Sequence, residues 1–310
     1  MKKEIVSIDE KRGIARVTTA DERWYTRETT NPQTGLPEID FRKSVTYIGH
    51  FYPKGKGFEN WMKKNGEEAD MLVALAGERG SKVHQAIEAL NNGEQVKMTD
   101  TFLNTRTGAV EQLTPEEYGA VMSYRDWWMT EGSKEYVILE AEQTIWPEGK
   151  GAEPGGPLHF AGTLDLLVKR VADGAIGIID IKTSKEVYTG HIIQLSALRE
   201  GKKAEGVDVQ FQAILQVGYK RNKQGFKFTE QEHRFDLFLA AKNIADYETS
   251  GEAPLQRDYP LALTLGLPKK KRAIPSVTEP AAESAPIAEE APEQPEPAKV
   301  AKKKSPNKHG

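Results

Sequence analysis

Apolar and polar residues alternate along this chain in two rhythms, a period of two over short runs and a period near 3.6 over longer ones. The most apolar stretch holds two β-prone runs, Phe160 to Lys169 and Ala175 to Ile181, which flank the turn-forming pair Asp173-Gly174. Such runs around a tight turn are typical of a β-hairpin. We therefore expect a hairpin at the centre of the fold.

Helical periodicity characterises four other segments. They are Phe58 to about Leu90, Thr114 to about Thr130, Tyr188 to about Arg199, and Glu232 to Tyr247. Further strands are predicted at Val137 to Trp146, Gln212 to Tyr219 and Gly225 to Thr229, the last two joined by a turn around Asn222 to Gly225. The resulting order of helix, three strands, helix, strands, helix predicts an α/β fold with a central sheet.

The second helical segment carries the clearest local signals. Thr114-Pro115-Glu116-Glu117 predicts a helix start, with Thr114 as the cap, proline at the first position and Glu117 completing a capping box. Tyr124, Trp127 and Trp128 follow at helical spacing. We interpret them as core residues rather than as a platform for stacking bases.

The two ends of the chain differ from the middle. Residues 1–43 contain short β-prone runs (Ile5 to Ile8, Ile14 to Thr18, Arg23 to Thr26) and a loop at Asn31 to Gly35, which predicts a small N-terminal β extension. Residues 268–310 are rich in Pro, Ala, Glu and Lys and nearly lack large apolar side chains, so we expect a disordered tail. Its basic run Lys269 to Arg272 suits a basic address, a DNA-tethering arm or a solubilising linker. Residues 44–267 remain as one domain.

The charge balance limits the kinds of partner. The formal net charge is −3, and the tail carries nine Lys or Arg against six Asp or Glu, which leaves about −6 on residues 1–267. A broadly basic surface for nucleic acid is therefore excluded. Any contact with DNA has to come from a local cleft and bound metal ions.

The chain has no cysteine, which excludes disulfides and Cys-ligated zinc or iron-sulfur sites. No apolar run reaches the length of a membrane span, and the first residues lack the apolar core of a signal peptide. We therefore expect a cytoplasmic protein without a membrane partner.

Two carboxylates stand out within the predicted hairpin. Asp165 and Asp180 each interrupt an apolar run, and burying an unpaired carboxylate is strongly disfavoured. Asp180 and Lys182 share one strand face, and the carbonyl of Ile181 lies between them. Such ligands suit Mg²⁺ or Mn²⁺, and a lysine beside them can orient or deprotonate an attacking water. The alternative is an ion-paired strand pair in an unrelated α/β protein.

The pattern Gly162-Thr163-x-Asp165 followed by Asp180-x-Lys182-Thr183 resembles the PD-(D/E)XK nuclease superfamily, and within it the RecB-like, phage-type exonuclease branch. Leu164 stands where the superfamily usually has proline. The resemblance implies a restriction-endonuclease-like core, a central mixed β-sheet flanked by helices, over roughly Ser44 to Tyr247. Several relatives also carry an iron-sulfur cluster, which this chain cannot hold.

The resemblance also implies a histidine ligand. Gly80-Ser81-Lys82-Val83-His84 matches a Gly-(Thr/Ser)-x-x-His element whose histidine joins the metal shell in that branch. The alternative is a surface or capping histidine. Glu88, one turn later, is a candidate partner that orients the imidazole. An unperturbed imidazole ligand predicts loss of activity below about pH 6.5.

The remaining candidates would contact DNA or support the ligands. Ser44-Val45-Thr46 resembles a Ser-Val-Thr element of the branch whose hydroxyls suit a phosphate, the alternative being a plain strand end. Gln194 partly matches a Gln-x-x-x-Tyr element, with Leu198 at the tyrosine position, or is simply solvated. Glu142 is a site candidate because related nucleases often have a glutamate near this position, although an exposed strand residue is the favoured interpretation. Thr183 leaves its strand at the mouth of the site.

Together these features predict a Mg²⁺-dependent DNA exonuclease that contacts phosphates rather than bases, with Mn²⁺ able to substitute. Phage or recombination and repair processing is the expected setting, with a phage or host recombination partner. An endonuclease or junction resolvase of the same fold is the first alternative. A DNA-binding or assembly protein that has lost activity is the second.

Overall fold

The computed structural model describes residues 4–18, 23–30, 35–105, 107–218 and 225–249. The strands in these ranges are β1 Glu4–Asp9, β2 Ile14–Thr18, β3 Arg23–Thr30, β4 Pro37–Lys43, β5 Thr101–Leu103, β6 Val110–Gln112, β7 Tyr136–Ile145, β8 Gly162–Arg170, β9 Ile176–Lys182, β10 Val209–Val217 and β11 Phe226–Glu230. The helices are α1 Val45–Gly49, α2 Gly55–Asn65, α3 Glu68–Asn91, α4 Pro115–Trp127, α5 Ser133–Glu135, α6 Thr189–Ala204 and α7 Phe235–Glu248. The chain is therefore a mixed α/β protein.

A five-stranded mixed sheet has the strand order β11-β10-β9-β8-β7. Strands β7, β8 and β9 are successive antiparallel neighbours, β10 lies parallel to β9, and β11 returns antiparallel to β10. The parallel pair requires a long connection, which α6 provides. The predicted central mixed sheet with flanking helices is confirmed at this level.

Helices cover both faces of this sheet. One face packs against α3 and α4 around Val83 and Trp127, and the other packs against α1, α6 and α7 around Ile48 and Phe238. Strands buried on both faces are apolar along their length. A carboxylate in β8 or β9 therefore needs a compensating partner.

The first four strands form a second, antiparallel sheet in the order β1-β2-β3-β4. Its Ile14 and Tyr25 are buried in a small cluster with Trp146, which follows β7. Two ion pairs reinforce this contact, Arg12 with Glu205 at 2.9 Å and Lys43 with Asp246 at 3.0 Å. The N-terminal sheet is therefore packed against the elements that carry the central sheet.

The helical segment predicted from Phe58 consists of two helices, α2 and α3, separated at Gly66, whose φ is 56°. That left-handed conformation interrupts a helix and favours glycine. The apolar residues of α3 are buried only in its second half, where Val83 lies in the core. In the first half, Met71 and Leu75 are exposed.

The start of α4 has the predicted capping box, with Thr114 and Glu117 exchanging side-chain and backbone hydrogen bonds. Tyr124 and Trp127 are buried, which confirms their assignment to the core. The α-helix ends at Trp127 rather than near Thr130, and a π-helical turn continues from Trp128 to Gly132.

The predicted central hairpin is confirmed as β8 and β9. Gly174 has φ 77°, and the Ala175 N–H donates to Asp173 Oδ1 at 3.0 Å, as expected of an Asp-Gly turn. Residues 31–34 of the predicted N-terminal loop, 219–224 at the second turn, and the tail 268–310 lie outside the described residues.

In the described ranges, no helix combines the length and the apolar composition that are needed to cross a membrane.

Gly162 lies at the start of β8, where α1 and α6 approach the sheet. A Cβ atom there would lie 2.8 Å from Val45 Cγ2 and 2.9 Å from Leu198 Cδ2. Two side chains therefore approach the backbone of Gly162 closely.

We expect Gly162→Ala to lower the free energy of unfolding by about 1–3 kcal/mol, because the added methyl overpacks a buried contact. Urea unfolding measures this change. Gly190→Ala is the control, since a Cβ atom at Gly190 meets nothing within 4 Å. Equal unfolding midpoints for the two variants would contradict the prediction.

Candidate metal and phosphodiester site

The open end of the β8–β9 hairpin borders a cavity of about 240 Å³. Strands β7, β8 and β9 form one side, α3 and α6 contribute side chains, and residues of α1 and the N-terminal sheet complete the wall. His84, Glu142, Asp165, Asp180 and Lys182 all line it. The structure therefore brings the predicted residues of one hairpin and one helix to a common space.

Asp165 and Asp180 meet because β8 and β9 separate at this end. The ladder between these strands ends at the pair Leu166 and Ile179. Beyond it, the Ile181 N–H donates to Asp165 Oδ2 at 2.5 Å. The N–H and C=O of one strand residue point to the same side, so the Ile181 carbonyl also faces β8, as a ligand role requires.

Lys182 lies beside Asp180, with its Nζ atom 2.6 Å from Asp180 Oδ2. Burial alone would lower the pKa of Lys182, but the charges of Asp180 and Asp165 outweigh it and raise that pKa. Lys182 therefore stays protonated at neutral pH. Of the two roles expected for it, orienting water fits this state, and deprotonating water does not.

The two aspartates have different protonation behaviour. Burial raises the pKa of Asp180 to about 6, with Lys182 opposing and Asp165 adding to the rise. Burial also acts to raise the pKa of Asp165, but His84, Lys182 and the Ile181 N–H more than offset it, so the net shift is downward. Asp165 is therefore firmly ionised, whereas Asp180 carries a charge that the buried site disfavours.

His84 projects from α3 toward the carboxylates. Its Nδ1 atom lies 3.4 Å from Asp165 Oδ1 and 3.9 Å from Glu142 Oε1. Burial would lower the pKa of His84, yet Asp165 and Glu142 raise it to about 10. The expected pH limit near 6.5 assumed an unperturbed imidazole, and the imidazole of His84 is far from unperturbed in the protein without metal.

Glu142 is brought into the site by an unusual backbone conformation. In a regular strand, Glu140 and Glu142 share one face. Glu142 has φ 48°, a left-handed conformation that non-glycine residues seldom adopt. Its carboxylate faces His84 on α3, whereas Glu140 pairs with Lys202 on α6, which covers the opposite face. The alternative of a plainly exposed strand residue is therefore wrong for Glu142.

Besides Glu142, three of the expected supporting residues line the same cavity, and two do not. Ser44 caps α1 by accepting a hydrogen bond from the Tyr47 N–H at 3.0 Å, and Gln194 donates to Thr46 Oγ1 at 3.3 Å. Glu88 is exposed, and in the described part of the chain no hydrogen bond joins it to His84. The Thr183 carbonyl accepts from Arg79 at 3.5 Å, and Thr183 lies outside the cavity wall.

A comparison with protein-family models finds no match, and a search of curated proteins finds no similar chain. The assignment of the site therefore depends on its own chemistry.

The donor set fits a divalent metal ion. His84, Glu142 and Asp165 each offer one ligand atom, and these atoms lie within 4.8 Å of one another. Burial and the neighbouring Asp165 raise the pKa of Glu142 to about 7, although His84 opposes the rise. Crowded carboxylates that disfavour their own ionisation gain most from a bound cation. The carboxylate oxygens suit Mg²⁺ and Mn²⁺, and Mn²⁺ accepts the imidazole more readily than Mg²⁺ does.

Two cavity residues were missed by the sequence reasoning. Arg16 on β2 and Tyr25 on β3 line the same cavity as the carboxylates, and the Tyr25 hydroxyl lies 3.2 Å from Thr163 Oγ1 on β8. In the sequence, strand alternation places Arg16 on the same face of β2 as Ile14. This alternation does not show which part of the chain packs against that face.

Proposed function

We propose that this protein is a Mg²⁺-dependent DNA nuclease with a PD-(D/E)XK core, acting as an exonuclease of the RecB-like, phage-type branch. The observation that carries the proposal is the meeting of Asp165, Asp180 and Lys182 at the separated ends of β8 and β9, with His84 and Glu142 facing the same cavity. This arrangement agrees with the family's sequence pattern and with its order of elements. The combination of both aspartates, the lysine and the histidine favours an active enzyme over an inactive relative.

His84, Glu142, Asp165, Asp180 and the Ile181 carbonyl would hold the metal. A divalent ion bound there neutralises charge on the phosphate and lowers the pKa of a coordinated water. Lys182, held protonated by Asp180, directs its positive charge toward the attacking water and the phosphate. The hydroxyls of Ser44 and Thr46 and the amide of Gln194 offer hydrogen bonds to the DNA backbone on the other side of the cavity.

The substrate class follows from what the cavity contains. Its polar groups suit phosphate and divalent metal, and DNA affinity is expected to fall with salt because phosphate contacts dominate it. Phage or recombination and repair processing remains the proposed setting, with a phage or host recombination protein as partner.

The test is an assay on end-labelled linear DNA and on covalently closed circular DNA, each with Mg²⁺, Mn²⁺ or EDTA. We expect metal-dependent release of mononucleotides or short products from linear DNA and no cleavage of the circle. Cleavage of the circle would assign the protein to the endonuclease or resolvase alternative. Intact substrates under every condition would refute the nuclease.

If His84 is a metal ligand, metal binding should release its proton. Because the pKa of His84 is about 10 without metal, a metal ion has to displace its proton at neutral pH, and affinity should rise with pH up to about 10. Mn²⁺ titration calorimetry at pH 7.5, in two buffers of different ionisation enthalpy, measures the protons released. We expect fewer protons released, and weaker binding, for His84→Ala, with Mn²⁺ restoring activity better than Mg²⁺.

His233→Ala is the control for that experiment, since His233 lies before α7 and pairs with Glu200 at 3.2 Å rather than with the cavity residues. Equal Mn²⁺ affinities and equal proton release in the two variants would remove His84 from the metal site.

A further inference from the structure

The cavity wall carries an arginine that the proposed reaction does not use. Arg16 lies on β2, directly across the β2–β3 ladder from Tyr25. Opposed residues of a ladder share one sheet face. Both side chains line the cavity, so this face of the N-terminal sheet is the one that meets it.

The charge of Arg16 is not compensated within the described part of the chain. Its Nε atom is buried and has no hydrogen-bond partner there. Arg12 and Arg27 in the same sheet pair with Glu205 and Glu148, whereas the described residues provide no carboxylate for Arg16. A buried donor without an acceptor is disfavoured unless a ligand completes it.

The position of Arg16 is fixed by its surroundings. Tyr25 holds β3 to β8 through Thr163, two residues before Asp165. Ile14, two residues before Arg16, is buried with Trp146. These contacts fix the strand that carries Arg16, and the planar set of donors of its guanidinium matches a phosphate in a two-point contact.

We propose that Arg16 binds a phosphate of the DNA strand next to the one that is cleaved, so that the N-terminal sheet is part of the substrate site. This inference rests on the proposed nuclease function and extends it to a residue outside the family-like core. Arg16 lines the same cavity as the carboxylates, so a DNA strand bound there would meet both the metal ligands and a cation. Arg16 supplies positive charge in a protein whose first 267 residues are net negative.

The test compares Arg16→Gln with Arg27→Gln in the full chain. Both changes remove one positive charge from the same sheet, but Arg27 pairs with Glu148 and lies outside the cavity wall. We expect Arg16→Gln to raise the KM for a DNA oligonucleotide roughly tenfold with little change in kcat, as loss of one charged hydrogen bond predicts. DNA affinity in Ca²⁺, measured by fluorescence anisotropy, should fall by the same factor. The slope of log affinity against log salt concentration should decrease by about one, which corresponds to one phosphate contact.

Two further measurements distinguish phosphate binding by Arg16 from a purely structural role. Mn²⁺ affinity should be unchanged in Arg16→Gln, and Arg16→Lys, which keeps the charge but loses the planar fork, should be intermediate. If Arg16→Gln and Arg27→Gln behave alike, the inference fails while the nuclease stands. If the wild type binds DNA but cleaves none, the nuclease fails, and the anisotropy comparison still decides the role of Arg16. A wild type that neither binds nor cleaves DNA overturns both proposals.

Discussion

Asp180→Asn is expected to reduce Mg²⁺-dependent DNA cleavage on the order of a thousandfold while leaving the fold intact. The amide keeps the shape of the side chain but removes the charge that would hold the metal. Folding tolerates the change, because burial already raises the pKa of Asp180 to about 6 and so disfavours its charge at neutral pH. Initial rates on end-labelled DNA measure the loss, and circular dichroism with thermal melting checks the fold.

Asp173→Asn is the matched control. It makes the same chemical change on the same hairpin, at the exposed turn, where an amide oxygen can still accept from the Ala175 N–H. We expect near wild-type activity from it. A purified and folded Asp180→Asn protein that kept more than a tenth of wild-type activity would refute the assignment of the site.

Lys182→Met is expected to have the second largest effect, a loss of kcat of roughly a hundredfold to a thousandfold. Unlike Asp180→Asn, it should keep or increase Mn²⁺ affinity, since it removes a cation that lies 2.6 Å from Asp180 and competes with the metal for that carboxylate. Steady-state kinetics measure the loss of kcat, and calorimetry on the same preparation measures the Mn²⁺ affinity.

Lys185→Met is the control for this variant, because Lys185 is exposed and follows the strand by three residues. Loss of metal binding together with activity in Lys182→Met would show that the lysine supports the ligands rather than the reacting phosphate. An unchanged kcat would remove Lys182 from the reaction.

The parts of the site that the sequence predicts best are those set by local rules. Asp165, Asp180 and Lys182 lie on two strands joined by an Asp-Gly turn, so strand alternation and one turn type bring them together. The start of α4 was predictable for the same reason, because Thr114 and Glu117 satisfy each other's backbone within one helical turn.

Other features depend on contacts that no local pattern records. Glu142 leaves the alternation of its strand through its left-handed φ, so periodicity assigns its carboxylate no partner. Tyr25 and Thr163 are 138 positions apart in the chain, and only the packing of two sheets places Arg16 at the cavity. The pKa of His84 depends on the combined field of Asp165 and Glu142, which three-dimensional proximity alone creates.

The attachment of the N-terminal sheet also orders the events of synthesis. Arg12 and Glu205 are 193 positions apart, and Lys43 and Asp246 are 203 apart. The first strands leave the ribosome early, and their first partners, Trp146 and Thr163, appear before Asp165. A nascent chain that already contains Asp165, Asp180 and Lys182 still lacks Glu205 and Asp246, so the two ion pairs that complete the attachment of the wall bearing Arg16 form only after the site residues have been made.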